Sequence, residues 1–352
     1  ADITPPIGQP MAGYFSRLQK DGGACRKIHD RLYARVVVLK SGKTSVAIAA
    51  VDLLLFSSQR VVRTAKESFD LDQVILSSTH THAGPKPRTA DAVAWGRLTV
   101  NPDEVLDIAS FGEDPWYAAT EKKIIAAIGR AKEHLFAAEV GAGKRTLESD
   151  YLAYNRRVVD ENGRVRMLWS NPQRRPTEPV DQTVRVIRID DKAGSVRALM
   201  VHYACHPVTL GPGNLAVSAG FPGAMAAYIR RELGGDCLPL FLQGACGDIN
   251  PYETGLRGRY GFLLMRHTGR SLAREALRAA QSVETVGGPG VSLDVTERLI
   301  PLAHRRNRSA TSQIGLAVTL INDTIALVSI PGEPFVQHQL SLAAKTPCEE
   351  AF

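Results

Sequence analysis

The stretch VILSSTHTHAGPKP, from Val74 to Pro87, places two histidines directly after an apolar segment and before a Gly-Pro pair. The residues QVILSS at 73–78 are rich in apolar side chains, which predicts a strand. His80 and His82 follow it two residues apart, so both imidazoles would face one side if the extended conformation continued through them. The stretch therefore predicts a buried strand that ends in two side chains suited to metal binding or proton transfer.

Similar segments recur along the chain and alternate with segments whose apolar residues follow the period of an amphipathic helix. The predicted strands are 34–40, 45–52, 73–78, 184–189, 196–203, 238–243 and 324–331, and the predicted helices are 58–69, 115–135, 221–234 and 262–283. Asp114-Pro115 opens one helix with a capping residue and a proline at the first helical position. The alternation predicts an α/β fold, a layered mixed β-sheet core flanked by helices. No clear linker divides the chain, so we expect a single domain over residues 1–352.

The composition, with 44% apolar and 22% charged residues, is typical of a folded globular protein. The formal net charge is +7, but the basic residues are spread along the chain, and the densest basic patch is HRRNRS at 304–309. No basic helix or aromatic–basic alternation is present, which argues against a nucleic-acid partner. The sequence has neither an apolar run long enough for a transmembrane segment nor a basic amphipathic helix that would indicate membrane docking. Its five cysteines lack a Cys-x-x-Cys spacing, which argues against a disulfide framework or a cysteine zinc site.

Four of the predicted strands end in side chains that can bind metals. These are Asp52, the pair His80 and His82, His206, and Glu333. Because sites in open α/β sheets form at the carboxyl ends of strands, we expect a metal site there. Histidine nitrogen and carboxylate oxygen suit zinc, which in catalytic sites has three protein ligands and an open position for water. Each residue alone also fits a structural role, such as a hydrogen-bonded buried histidine or a turn glutamate, so the prediction rests on their combination.

Four motifs in this order, STHTHAGP, HPVTL, QGACGDINP and IPGEP, resemble the neutral/alkaline (non-lysosomal) ceramidase family. The opening ADITPPIGQPMAGYFSR and the YNRR at 154–157 are similar to that family as well. The likeness extends from Ala1 to about Leu340. It implies a zinc-dependent amidohydrolase that acts on a ceramide-like N-acyl substrate.

The resemblance assigns roles to individual residues. It implies that His80, His206 and Glu333 are zinc ligands. It places His82 in the active site without making it a main ligand, and it places Arg156 in the substrate pocket. Zinc-bound water would then be the nucleophile, His82 would carry the proton to the leaving amine, and Arg156 would stabilise the oxyanion or hold a substrate oxygen.

Further residues were weighed as supports of this centre. Asp52 is expected either to orient a ligand histidine or to cap a turn at its strand end. Asp248 shapes the GACGDINP turn or touches the site. Asn250 stands where the family has a serine, and its amide donates a hydrogen bond but cannot attack a carbonyl. The family's tyrosine ligand and its C-terminal immunoglobulin-like domain have no counterpart in residues 1–352, so we expect either that the sequence is incomplete or that the fourth ligand differs and is, for example, water.

Other functions remain open on the sequence alone. One is hydrolysis of a smaller N-acyl amine, an ester or a lactone, because nothing in the sequence identifies a channel for two long chains. A second is a non-catalytic, ligand-binding descendant with a decayed site. A third is phosphoryl or sulfuryl ester hydrolysis, for which Asp52 and Asp248 are the only obvious extra carboxylates. The lack of a signal-peptide pattern and the odd number of cysteines favour the cytoplasm without deciding the compartment.

Overall fold

The computed structural model describes residues 1–18, 23–85, 114–148, 151–303 and 311–352. Within them, a 3-10 turn at Phe15–Leu18 is followed by helices α1 (Gln59–Phe69), α2 (Pro115–Glu133), α3 (Gly220–Leu233), α4 (Gly258–Gln281) and α5 (Val336–Lys345). The strands are β1 (Lys27–Ile28), β2 (Ala34–Ser41), β3 (Thr44–Val51), β4 (Gln73–Ser78), β5 (Ala138–Thr146), β6 (Ala153–Asn155), β7 (Arg157–Val159), β8 (Val165–Met167), β9 (Thr183–Asp191), β10 (Val196–Tyr203), β11 (Ala216–Val217), β12 (Leu238–Gln243), β13 (Ile249–Pro251), β14 (Val286–Gly287), β15 (Leu293–Ala303), β16 (Thr311–Ile321), β17 (Ile325–Ser329) and β18 (Glu350–Ala351).

Three larger sheets form the framework. One has the order β2-β3-β4, a second β12-β10-β9-β5-β14, and a third β15-β16-β17-β18. Each contains one parallel pair, namely β3 with β4, β10 with β12, and β17 with β18, and its other pairs are antiparallel. Short two-stranded pairs join β1 to β11, β6 to β13, and β7 to β8. The mixed pairing confirms the predicted α/β fold.

Strand β3 shows how the layers are built. Successive residues of a strand point to opposite faces, and both faces of β3 are buried. Ala47 and Ala49 belong to an apolar cluster that includes residues of helices α1 to α4. Val46 and Ile48 belong to a second cluster, which includes residues of β15, β16 and β17. The β2-β3-β4 sheet therefore lies between a helical layer and the β15–β18 sheet.

The sequence located most of this framework. All seven predicted strands and all four predicted helices are present, with ends displaced by four residues at most. The Asp114 side chain caps α2, accepting a hydrogen bond from the Trp116 backbone N–H at 2.9 Å. The basic patch at 304–309 and the end of the opening stretch, 86–87, lie outside the described residues.

The structure also shows the state of the cysteines and the length of the apolar helices. Four cysteines (Cys25, Cys205, Cys237 and Cys246) are buried, Cys348 is half-buried, and all five are free thiols. No helix in the described part of the chain is long and apolar enough to cross a membrane.

Candidate metal centre

The carboxyl ends of two parallel strand pairs meet at one place. Val51 lies opposite Ser78 at the ends of β3 and β4, and Tyr203 lies opposite Gln243 at the ends of β10 and β12. The Gln243 side-chain amide then donates to the backbone carbonyls of Thr79, at 3.3 Å, and Cys205, at 3.1 Å. This amide joins the two sheets at the edge where the predicted site residues follow the strands.

The two histidines after β4 come together through a turn rather than along an extended strand. Thr79 N–H donates to Val51 O and His80 N–H donates to Leu53 O, which carries the backbone out of the strand direction. His80 has a φ of +65°, in the left-handed region that side chains other than glycine rarely adopt. The extended path assumed from the spacing is therefore absent. The Nε2 atoms of His80 and His82 nevertheless lie 3.3 Å apart.

Three imidazoles converge with the same orientation. One ring nitrogen from each of His80, His82 and His206 lies within 4.8 Å of the others. The Nδ1 atoms face the backbone carbonyls of Leu54, Gly13 and Cys246, at 2.8, 2.7 and 2.6 Å respectively. Because a carbonyl oxygen only accepts hydrogen bonds, Nδ1 carries the hydrogen, and the lone pair of each neutral ring is on Nε2.

Glu333 completes the cluster from the loop after β17. Its Oε1 lies 3.0 Å from His80 Nε2, and its Oε2 lies 3.4 Å from His206 Nε2. The loop packs tightly on Gly247, whose N–H donates to Pro334 O, and a Cβ at Gly247 would lie 2.4 Å from Glu333 O. Only glycine fits at this close approach. We refer to His80, His82, His206 and Glu333 as the site cluster.

Burial and charge set the protonation states in this cluster. Burial opposes ionisation of Glu333, but the adjoining His206 and His80 rings outweigh it whenever they carry a proton on Nε2, and the pKa of this carboxyl lies well below its usual range. Burial is the largest cause that lowers the pKa of His82, followed by the neighbouring imidazoles of His80 and His206. Burial also lowers the pKa of His206. At neutral pH the cluster therefore contains a carboxylate and neutral His82 and His206 rings.

This donor set fits a metal cation. The Nε2 lone pairs of His80 and His82 face each other at 3.3 Å, which is unfavourable unless a metal ion or a proton lies beside them. Donors bound to a tetrahedral zinc at about 2.0–2.1 Å are about 3.3–3.4 Å from one another. The spacings between His80 and Glu333 and between His206 and Glu333 are close to this value. The arrangement of nitrogen and oxygen donors suits zinc.

Arg156 lies beside the loops that carry the cluster. Its backbone N–H donates to Asp248 O at 2.7 Å, and its guanidinium donates to Gly247 O at 2.8 Å and to Asn250 Oδ1 at 3.3 Å. Its buried Nε has no hydrogen-bond partner among the described residues. Trp169 packs over the guanidinium, with 5.4 Å from the carbon to the ring centroid. Arg156 thus has one buried donor without a partner beside the Glu333 loop.

Asp248 is buried and connects three segments without touching an imidazole. Its Oδ1 accepts from the Val336 N–H at 2.9 Å, and its Oδ2 accepts from the Asn155 amide at 3.0 Å. The carboxylate therefore fixes the start of α5, and with it the Glu333 loop, against β6. Asn250 lies on β13 opposite Tyr154 and accepts the hydrogen bond from Arg156.

Asp52 lies outside this ring of contacts. Its Oδ2 accepts from the Tyr33 N–H at 2.9 Å and from Arg35 Nη1 at 2.7 Å. Arg35 lies on the neighbouring strand, opposite Ala50, which brings its guanidinium to the end of β3. The three imidazoles are oriented by backbone carbonyls instead. Asp52 makes no direct hydrogen bond to any of them, and its contacts fit the alternative role of a carboxylate that holds the end of its strand.

Arg17 is a buried residue that the sequence analysis did not single out. It donates five hydrogen bonds to the backbone carbonyls of Ala12, His82, Pro212, Gly211 and Asn214, at 2.6, 2.6, 3.2, 3.0 and 2.7 Å. All five donors of its guanidinium are thus used. Nearby, a Cβ at Gly13 would lie 2.8 Å from the Cβ of His82. The GYFSR segment therefore holds the His82 loop from two sides.

Comparisons with known proteins agree with the sequence motifs. The family model "Neutral/alkaline non-lysosomal ceramidase, N-terminal" matches residues 1–260. Neutral ceramidase A of Dictyostelium discoideum is 25% identical over 283 residues, which are 74% of this chain and 36% of that protein. The chain thus spans little more than a third of the length of this relative.

Solved structures share the fold. The crystal structure of neutral ceramidase from Pseudomonas aeruginosa matches with a TM-score of 0.72 at 16% identity, over 98% of this chain and 63% of that one. A ceramidase in complex with C2 also matches with a TM-score of 0.72, at 15% identity, over 98% of this chain and 64% of that one.

Proposed function

The chain belongs to the neutral/alkaline non-lysosomal ceramidase family, and from this premise we propose that it is a zinc-dependent hydrolase of an amide bond in a ceramide-like N-acyl substrate. The observation that carries the proposal is the convergence of three imidazoles, each with Nδ1 on a backbone carbonyl, on the carboxylate of Glu333. Such a set of lone pairs is suited to a cation.

In this proposal His80, His206 and Glu333 hold the zinc. When bound, the metal supplies a Lewis acid for the substrate carbonyl and lowers the pKa of a bound water to about 7. The carbonyls of Leu54 and Cys246 fix the two ligand rings and raise the basicity of their free nitrogens.

His82 carries the proton in the proposed reaction. The neutral ring has its free Nε2 lone pair inside the cluster, 3.3 Å from His80 Nε2, so it is able to accept a proton there. The Gly13 carbonyl holds the opposite nitrogen in place. A proton that the attacking water gives up to Nε2 is then donated to the leaving amine, and such transfers contribute roughly 10²–10⁴ in rate.

Arg156 binds the substrate oxygen in the proposal. Its guanidinium is permanently charged, its orientation is fixed by Gly247 and Asn250, and its Nε has no other partner among the described residues. Asn250 acts through Arg156 and not as a nucleophile, because a carboxamide has no group that attacks a carbonyl. Asp248 positions the Glu333 loop through Val336.

Phosphoryl or sulfuryl ester hydrolysis receives less support. Two-metal enzymes of that class need further carboxylates at the centre. The two extra carboxylates are engaged elsewhere, Asp52 with Arg35 and Asp248 with Val336 and Asn155.

The decisive experiment measures fatty-acid or carboxylic-acid release by zinc-loaded and metal-stripped protein side by side. The panel contains a long-chain ceramide, short N-acyl amines, simple esters and a lactone. We expect zinc-dependent release from ceramide. Release from small substrates alone would reassign the substrate to a smaller N-acyl compound, ester or lactone. Stoichiometric zinc without turnover on the panel would overturn amide hydrolysis, and absence of both would favour a ligand-binding descendant.

The role of His82 is tested separately from the ligands. We expect His80→Ala to lose both zinc and turnover, and His82→Ala to keep zinc and lose turnover, as measured by metal analysis and acid release. Loss of zinc in His82→Ala would instead make His82 the fourth ligand.

A further inference from the structure

A two-stranded ribbon, β7 and β8, projects beside the site cluster. Within the described residues its strands pair only with one another. It carries large apolar side chains in water: Val159 is 50% exposed, Val165 is 48% exposed, and Trp169, just after the ribbon, is 63% exposed. An isolated two-stranded ribbon is only marginally stable in water, and exposed apolar side chains do not stabilise it. Clusters of exposed apolar residues commonly mark a binding surface.

The register places the apolar residues together. Val159 lies directly opposite Val165, and Arg157 lies opposite Met167. Directly opposed residues, and residues two apart, share a face of the ribbon. Val159, Val165 and Met167 thus form one apolar face, next to Arg157.

This face adjoins the proposed active site. The Arg157 guanidinium lies 5.6 Å from the centroid of the exposed Phe335 ring, and Phe335 is two residues after Glu333. Trp169 packs over Arg156. We call Val159, Val165, Met167, Trp169 and Phe335 the rim surface.

Arginines lie on both faces of the ribbon that carries the rim surface. Residues 156–175 contain six arginines and two acidic residues. Arg157 lies on the apolar face, whereas Arg166, opposite Val158, and Arg164 are exposed on the reverse face of the ribbon. The Asp160 carboxylate accepts hydrogen bonds from the backbone N–H groups of Asn162 and Arg164 within the turn. The cationic, apolar and aromatic groups together match an anionic lipid surface, where tryptophan favours the interface and arginine the headgroups.

We propose that the rim surface docks the protein on an anionic lipid bilayer and presents the site cluster to lipid molecules there. This inference rests on the proposed function only in that a ceramide-like substrate resides in such a bilayer. A search of the sequence for amphipathic helices misses the surface because it is built on a β-ribbon. The contact is peripheral, since five side chains and a ribbon tip enter the interface.

The test is co-sedimentation with vesicles, which requires no turnover. Vesicles of equal parts phosphatidylcholine and phosphatidylserine are compared with vesicles of phosphatidylcholine alone. We expect binding to the anionic vesicles that weakens with added salt. Val159→Ser/Val165→Ser should weaken it about tenfold through lost apolar insertion, and Arg164→Gln/Arg166→Gln by about tenfold or more through lost attraction to the headgroups.

Matched controls lie on the helices. Tyr260 and Leu263 on α4 are 63% and 53% exposed, and Tyr260→Ser/Leu263→Ser should leave vesicle binding unchanged. Arg230→Gln/Arg231→Gln on α3 should do the same. The ribbon variants are also expected to hydrolyse a short, water-soluble N-acyl amine at the normal rate.

Three results would overturn the proposal: no sedimentation of the unaltered protein with anionic vesicles, equal binding to neutral vesicles, or equal loss in the α4 control. A doubling of mass in light scattering that is abolished by Val159→Ser/Val165→Ser would assign the surface to a second copy instead. Vesicle binding without amide hydrolysis would refute the proposed function and leave docking intact.

Discussion

Two groups of buried polar side chains lie in this molecule, and they differ in how their hydrogen bonds are satisfied. The site cluster brings together three Nε2 lone pairs and a carboxylate. The second group, which we call the sheet cluster, contains Asp181, Arg185, His202 and Gln339. Here Asp181 Oδ2 accepts from Arg185 Nη1 at 2.8 Å and from Gln339 Nε2 at 2.6 Å. The sheet cluster matches a cation with an anion, whereas the site cluster has an excess of acceptors.

The difference separates a structural network from a binding site. The ion pair of Asp181 and Arg185 has hydrogen-bond partners and needs no further ligand, although the buried Nδ1 of His202 has no partner among the described residues. Acceptors gathered without donors cost free energy until a cation enters. Gln339 connects the two clusters, because its Oε1 also accepts from the Ala245 N–H in the loop next to Cys246.

We expect the largest difference between the two clusters when a charge is removed from the site cluster. Glu333→Gln keeps the side-chain shape and removes the negative charge. We expect loss of bound zinc and a fall in kcat/KM of about 10³-fold or more, as for removal of a group that stabilises the transition state electrostatically. Metal analysis and amide hydrolysis check both effects. His202→Phe in the sheet cluster is the matched control and should keep its zinc, and stoichiometric zinc in Glu333→Gln would contradict the assignment.

Breaking the sheet cluster should affect folding and not the metal. Asp181→Ala leaves the buried Arg185 with only the more distant Glu350 carboxylate, 3.9 Å from its Nε, and we expect the free energy of unfolding to fall by up to about 3–5 kcal/mol. Denaturant titration measures it, and metal analysis of the folded protein should show zinc retained. Asp181→Asn keeps an acceptor for Gln339 and should lose less. Equal losses in the two variants would show that the charge of Asp181 accounts for the whole effect and that the acceptor kept by asparagine contributes nothing.

Arg17 sharpens the comparison, because it is a buried cation satisfied by carbonyls rather than by a carboxylate. Lysine has a single ammonium, which does not reach five carbonyls. Arg17→Lys should release the His82 loop and lower kcat about 10–100-fold with KM and zinc content unchanged, as for loss of a residue that orients a catalytic group. Arg31→Lys, at an exposed ion pair with Asp2, is the control. An increase in KM with normal kcat would contradict a positioning role.

The smallest effect, taken per pH unit, concerns the sheet cluster. Burial, followed by the charge of Arg185, lowers the pKa of His202 from 6.5 to about 3. Between these values the unfolded chain binds a proton that the folded protein does not, so stability is highest above pH 6.5 and falls as the pH decreases. We expect a slope of up to about 1.4 kcal/mol per pH unit from this residue.

The measurement is urea unfolding of metal-stripped protein across this pH range. His202→Phe should show a shallower slope than the unaltered protein. Because both proteins are metal-stripped, His82 and His206 contribute equally to the pH dependence of stability in the unaltered protein and in His202→Phe. An unchanged slope would mean that protonation of His202 is not coupled to unfolding.

The sequence predicted those strands and helices whose buried residues form a regular local pattern of apolar side chains. β4 and β10 were found with correct ends for this reason. β5 was missed because Gly141 and Gly143 interrupt its pattern, although the structure requires them: a Cβ at Gly141 would lie 2.2 Å from Glu284 O. Glycine is required at such a position by contact with a segment distant in sequence, and the local sequence pattern carries no information about that contact.

For the site, the sequence identified side chains but not their backbone partners. His80, His206 and Glu333 were selected because they follow strands, and the structure brings them together. The carbonyls that orient the rings have no residue signature, since every residue has one. Arg17 resembles any surface arginine in the sequence, and only its five carbonyl partners distinguish it.

The left-handed backbone of His80 implies a conflict between stability and activity at a single residue. A side chain at a φ of +65° costs roughly 1 kcal/mol relative to glycine. His80→Gly should therefore fold more stably than His80→Ala by about that amount, although neither binds zinc in the proposed manner. Selection for stability alone would favour glycine at position 80, so the histidine there agrees with the functional role proposed for its side chain.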